Sequence, residues 1–174
     1  MTYSKANTLL RIKALSDELG ELQTPPDEGG VSYSQNIIYI SLVKNTRPYI
    51  ERLAHQINGT YASGYYDACS VMIRRLLETL IVELFEAKEI AAKIKNNGDD
   101  FCYLGDLIKL TLSEPSWNLT RNTKNALGKL KEVGDKSAHS RRFIAQRLDI
   151  DNIQSGLRTA VQELIILAEI KDKK

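Results

Sequence analysis

Histidine, cysteine, tryptophan and proline are scarce in this chain of 174 residues, at two, two, one and four. Each scarcity removes a class of function. His55 and His139 belong to no His/Cys ligand spacing, so no metal centre is expected. Cys69 and Cys102 form no CxxC pair, and they are expected to be two reduced, buried thiols rather than a disulfide framework. There is no glycine-rich phosphate loop and no nucleophile elbow, which leaves a small-molecule metabolic enzyme without a motif. No cofactor is implied.

Long apolar runs are also missing. The strongest, Leu76 to Phe85, is interrupted by Glu78 and Glu83 and is too short to span a bilayer. No basic flank, apolar run and small-residue cleavage site follow one another at the N-terminus, so no secretion signal is expected and the cytoplasm is the expected location. Asn58-Gly59-Thr60 and Asn118-Leu119-Thr120 are then chance matches to the glycosylation pattern.

What the chain does have is amphipathic helix. The length suits one domain with one core, and the apolar content of 43% is enough to build it. Residues 4 to 19 carry Leu9, Ile12, Leu15 and Leu19 on one side and predict a helix. Pro25-Pro26 and Gly29-Gly30 predict a loop up to residue 35. The organisation expected is therefore an N-terminal helix and loop over 1–35 and a helical bundle over 36–174. Residues 36 to 43 are rich in β-branched side chains but have no strand to pair with, so a short helix is expected there. Pro48 suits the first turn of a helix reaching about Asn58.

Residues 62 to 87 form the clearest helix. Tyr65, Ala68, Cys69, Met72, Leu76, Leu80 and Leu84 recur at three- and four-residue steps, and apolar residues occupy much of the remaining faces, which predicts a central helix. Further helices are expected over Ala87 to Asn96, Tyr103 to Leu112, Thr120 to Val133 with Gly134 as its cap, and from an Asp151 N-cap to about Ile170.

The net charge of +2 decides little, but its distribution is uneven: Arg121 to Arg147 holds eight basic and two acidic residues. Such a stretch is either a solvated helix face or a surface that attracts phosphate. Arg75 and Glu78 share a helix face three residues apart. They read either as an internal ion pair or as a guanidinium held by Glu78 and aimed at a phosphate. Arg74 is expected to point elsewhere, toward solvent with Ser70 and Asp67. His139, after an expected helix end and among basic residues, either fixes that turn by hydrogen bonds or serves in proton transfer.

The combination resembles a known family. The stretch from Gly64 through Ala68 to Arg74-Arg75-Leu76-Leu77-Glu78 is similar to the signature helix of a HEPN-like bacterial domain, uncharacterised, found alone and fused to type I restriction subunits. Its second motif, a basic residue, Gly-Asn or Gly-Asp and then His, matches Lys131, Gly134-Asp135 and His139. The resemblance spans roughly residues 47 to 168. It implies an all-α, up-and-down bundle that forms a homodimer, with a setting in phage defence and a partner that is RNA or another defence protein.

It also implies candidate roles. His139, Arg75 and Glu78 would be catalytic in a metal-independent ribonuclease or toxin, where His moves the 2′-hydroxyl proton and Arg steadies the phosphate. Lys131, Lys136, Arg141 and Arg142 would contact nucleic acid. The ribonuclease pattern, however, places its arginine where this chain has Glu132, Val133 or Gly134. Lys131 is the nearest basic residue upstream, and lysine is a poorer bidentate phosphate clamp. A non-catalytic interaction module is therefore the leading expectation.

Overall fold

A helix that is apolar on most sides has to be surrounded, and the helix over residues 66–87 is. In the computed structural model, which describes residues 36–96 and 98–171, Cys69, Ile73, Leu76, Leu77, Leu80, Ile81, Leu84 and Phe85 are wholly buried. Burying a side chain of the Leu, Ile or Phe kind contributes about 1.5–3 kcal/mol, so this helix anchors the core. The elements, in order, are α1 (Ile40–Val43), α2 (Pro48–Ala62), α3 (Tyr66–Ala87), a 3-10 turn (Ala91–Ile94), α4 (Leu104–Ser113), α5 (Arg121–His139) and α6 (Arg147–Ala168). Helix α3 packs against α2, α4, α5 and α6. Among the described residues the fold is an all-α bundle. Its nearest approach to a sheet is one isolated bridge, Lys95 to Phe101. No helix there is long and apolar enough to cross a membrane. The helix expected over 4–19 and the loop after it lie outside the described residues.

Several helix ends differ from the sequence expectation, each for a local reason. Helix α2 runs past Gly59 to Ala62. It stops at Gly64, whose φ of 78° is the left-handed conformation. The Tyr65 N–H donates to the Thr60 carbonyl at 2.8 Å and the Gly64 N–H to the Tyr61 carbonyl at 3.0 Å, a Schellman ending. Helix α6 starts at Arg147 rather than after Asp151. Asp149 accepts the Gln146 N–H at 2.8 Å and closes a capping box, while Asp151 accepts a hydrogen bond from the Tyr61 hydroxyl of α2. The helix expected over Ala87 to Asn96 is only the single 3-10 turn.

Residues 36–39, rich in β-branched side chains, form neither strand nor helix. Ile37 and Ile38 are wholly buried and lie in a bend, and the helix expected from residue 36 covers Ile40–Val43 alone. The Ile38 N–H donates to Asn58 Oδ1 at 3.0 Å, and Asn58 Nδ2 donates to the Ile38 carbonyl at 2.9 Å. From α6, Arg158 donates to the Ile37 carbonyl at 2.9 Å and to the Asn36 carbonyl at 2.7 Å. Its guanidinium lies 3.8 Å from the centre of the Tyr39 ring. Gln154 of the same helix also donates to the Asn36 carbonyl at 3.2 Å, so two side-chain amides and one guanidinium serve this backbone, as its burial requires.

Helix α5 does not end at Gly134. It continues to His139, and Gly134 is buried inside it. A Cβ built on Gly134 would stand 2.9 Å from Arg74 Cβ and 3.4 Å from the Ser70 carbonyl oxygen. The glycine is there for close helix approach, not for a cap. By contrast, a Cβ on Gly128 of the same helix meets nothing within 4 Å.

Gly134→Ala is therefore expected to destabilise the fold by about 1–3 kcal/mol through forced separation of α3 and α5. Gly128→Ala is expected to stabilise it by up to about 1 kcal/mol through helix propensity. Urea unfolding of both variants checks the pair; equal effects would show that α5 is not closely packed at Gly134. A second test uses the thiols. Burial pushes the Cys69 thiol up to about 12, whereas Cys102 is only half-buried. A disulfide-exchange reagent near neutral pH is expected to titrate Cys102 in the native protein, and Cys69 only after denaturation.

Candidate functional site

The two motif segments do meet, and the residues that join them are Arg74 and Asp135. Arg74, one position before Arg75, is rotated by about 100° around α3 and faces α5. Its side chain is 17% exposed. Arg74 Nη1 donates to Asp135 Oδ1, and Arg74 Nη2 lies 3.3 Å from Glu78 Oε1. Lys131, one turn before Asp135 on α5, donates to the second oxygen of the same carboxylate. The result is a continuous line of alternating charge, Glu78–Arg74–Asp135–Lys131, laid across the α3–α5 crossing.

This corrects the expected pairing. Glu78 holds Arg74 and not Arg75, and Arg74 is the enclosed arginine rather than the solvent-facing one. Its expected neighbours are engaged elsewhere: the Ser70 hydroxyl donates to the Tyr66 carbonyl at 2.9 Å, and Asp67 accepts the Ala145 N–H at 3.0 Å. The sequence did carry a signal for the true pair, since Arg74 and Glu78 have the four-residue spacing that suits helical ion pairs.

Arg75 is exposed and has no ion pair among the described residues. With Glu78 it lines a cleft of about 510 Å³ formed by α3, the first turn of α2 and the segment Phe101–Leu107. His139 does not line that cleft. It is the last residue of α5 and exposed, and it makes no hydrogen bond or ion pair among the described residues. It therefore does not fix the turn that follows. That role falls to Asp67 and to Ser140, whose hydroxyl accepts the Phe143 N–H at 3.3 Å.

The four expected nucleic-acid contacts divide in two. The charges of Lys131 and Lys136 are taken up within α5, Lys131 by Asp135 and Lys136 by Glu132 at 2.6 Å. Lys136 lowers the Glu132 carboxyl below the usual range. Arg141 and Arg142 are exposed and have no acidic partner among the described residues. With His139 they make a projecting basic end beyond α5.

A second, more polar cleft of about 320 Å³ lies between α5 and α6, lined by Asn122, Asn125, Lys129, Asn152 and Ser155. It opens beside another close crossing, where a Cβ on Gly156 would stand 2.9 Å from Ala126 Cβ. Nothing in the sequence reading singled it out. Among the described residues there is no group of three or more His, Cys, Asp or Glu placed to hold a metal ion. Compared with protein-family models, curated proteins and solved structures, the chain matches none.

The two adjacent arginines should separate cleanly in a stability measurement. Arg74→Ala leaves Asp135 and Glu78 without their shared partner and is expected to destabilise the protein by about 1–3 kcal/mol. Arg75→Ala is expected to change stability by no more than about 0.5 kcal/mol. Chemical denaturation of the two variants checks the assignment, and the opposite order of effects would refute it.

Proposed function

We propose that this chain is a HEPN-like helical module of bacterial phage defence that associates with nucleic acid, single-stranded RNA foremost, without cutting it. The observation that carries the reading is the basic end beyond α5. His139, Arg141 and Arg142 project there with no carboxylate to neutralise the arginines, whereas the lysines earlier in the helix are internally paired. Unpaired guanidinium groups exchange counterions for phosphate oxygens, which is the main source of affinity in such complexes. The setting in defence rests on the resemblance of the two motifs.

The position of the arginines supports binding without cleavage. A ribonuclease of this type needs a guanidinium free to steady the phosphate beside the histidine. Arg74 is held by two carboxylates, and Arg75 lines a cleft that His139 does not line. The positions one to two turns before His139 carry Glu132, Val133 and Gly134. A second reading, a metal-independent ribonuclease or toxin using His139, draws on one observation: the imidazole is exposed and unengaged beside Arg141 and Arg142.

Fluorescence anisotropy with a labelled single-stranded RNA tests both. Binding is expected to weaken steeply with salt, and Arg141→Gln with Arg142→Gln is expected to reduce the log–log salt slope by roughly 1.4, at about 0.7 per phosphate contact on a single strand. The RNA should remain intact. Cleavage that persists in EDTA and disappears in His139→Ala, with binding retained, would replace this reading by the ribonuclease one. Absence of RNA binding at low salt would refute both.

A further inference from the structure

Two rows of polar side chains face each other across the cleft between α5 and α6. Asn122, Asn125 and Lys129 line it from α5, and Asn152, Ser155 and Thr159 from α6. Both rows step by three and four residues, so each lies along one face of its helix. The two helices run in opposite directions: the Thr120 N–H donates to Glu163 at 2.7 Å, and Ala126 stands opposite Gly156. The asparagines of α5 therefore lie toward Thr159, and Lys129 lies toward Asn152. The floor is low at the crossing, where Ala126 contributes a methyl group and Gly156 a hydrogen.

The fold uses few of these polar groups. Asn122, Asn125 and Asn152 are exposed, and their side-chain amides make no hydrogen bond among the described residues. Each amide presents donors and an acceptor side by side, as a peptide unit does. The Thr159 hydroxyl donates to the Ser155 carbonyl at 3.0 Å and keeps its acceptor side. Among the described residues that line the cleft, Lys129 alone is charged. It is exposed and has no ion pair among the described residues. The nearby carboxylates are engaged elsewhere: Glu132 by Lys136, Asp151 by the Tyr61 hydroxyl, and Glu163 by the N–H and hydroxyl of Thr120. The cleft thus offers open amides along its length and an open ammonium at one end.

We propose that the α5–α6 cleft binds a short extended peptide segment with an acidic side chain at the Lys129 end. Each row runs about 10 Å along its helix at 1.5 Å per residue, the length of three residues of extended chain at about 3.3 Å each. The asparagine amides pair with the backbone N–H and C=O groups that an extended segment leaves open, and Lys129 pairs with its carboxylate. The low floor at Ala126 and Gly156 lets the main chain of the occupant approach. Single-stranded RNA is the poorer fit, because its bases stack on aromatic or guanidinium planes and no such side chain lines this cleft. His139, Arg141 and Arg142 do not line it either, so the proposal stands independently of the nucleic-acid reading.

Titration of the isotope-labelled full chain with N-acetyl-Ala-Asp-Ala-amide, followed by nuclear magnetic resonance, tests it. The side-chain amide signals of Asn122, Asn125 and Asn152 are expected to shift and saturate. Lys129→Met is expected to weaken binding roughly tenfold. The same peptide with N-methylated backbone amides is expected not to bind. Lys109→Met, which removes an equal charge from α4, is expected to bind like wild type. Both lysines are exposed, so the variants are expected to stay folded, as circular dichroism checks. No saturable shift up to the solubility limit of the peptide would overturn the proposal. So would equal binding of N-acetyl-Ala-Lys-Ala-amide or of the N-methylated peptide, or an equal loss in Lys109→Met. The same asparagine signals moving with single-stranded RNA and not with the peptide would assign the cleft to nucleic acid instead.

Discussion

The crossing of α3 and α5 allows nothing larger than a hydrogen at position 134. The backbone of α5 lies against the β-carbon of Arg74, whose guanidinium stays at the crossing. There it meets Asp135 of the facing helix and Glu78 of its own. A largely enclosed guanidinium is tolerable only with such partners, because an unpaired one would bear most of its desolvation cost. The close approach and the ion network therefore depend on each other. Both also set the orientation of the neighbouring residues: with Arg74 turned to α5, Arg75 faces the open cleft, and with α5 unbroken at Gly134, His139 is carried out to the helix end.

This geometry divides the charges of the molecule into spent and unspent. Lys131, Lys136 and Arg74 are neutralised by carboxylates close by, and such charges contribute to fold geometry more than to recognition. Arg141 and Arg142 at one end of the bundle, and Arg75 with Glu86 along the cleft, have no such partners among the described residues. Arg141 and Arg142 are exposed beyond the end of α5, whereas Arg75 and Glu86 line the cleft beside α3. The first set has one sign and suits a polyanion.

Arg158 and Asn58 show the same economy in the fold. The buried bend at Asn36–Ile38 needs hydrogen-bond partners that no strand supplies. The bundle provides them with Asn58 from α2 and Gln154 and Arg158 from α6, and the Arg158 guanidinium also stacks on Tyr39. The β-branched composition of that segment and its helical neighbourhood were in conflict on paper. In the structure Ile37 and Ile38 bend, Tyr39 is extended and one helical turn follows over Ile40–Val43.

The helical class and the central place of α3 were legible in periodicity and composition, because these depend on short-range spacing. Helix ends at glycines were not. Gly59 and Gly134 sit inside helices while Gly64 ends one, and the choice depends on which backbone lies opposite. The site was half legible. Its two segments were identified from their residues, and they do pack together. Which of two adjacent arginines is enclosed, and whether Asp135 or His139 completes the contact, depended on rotation of α3 by a single residue step. The sequence determines which faces are apolar and where charge is concentrated. Only the packed structure decides which charges neutralise one another, since that depends on distances of a few ångströms between segments far apart in the chain.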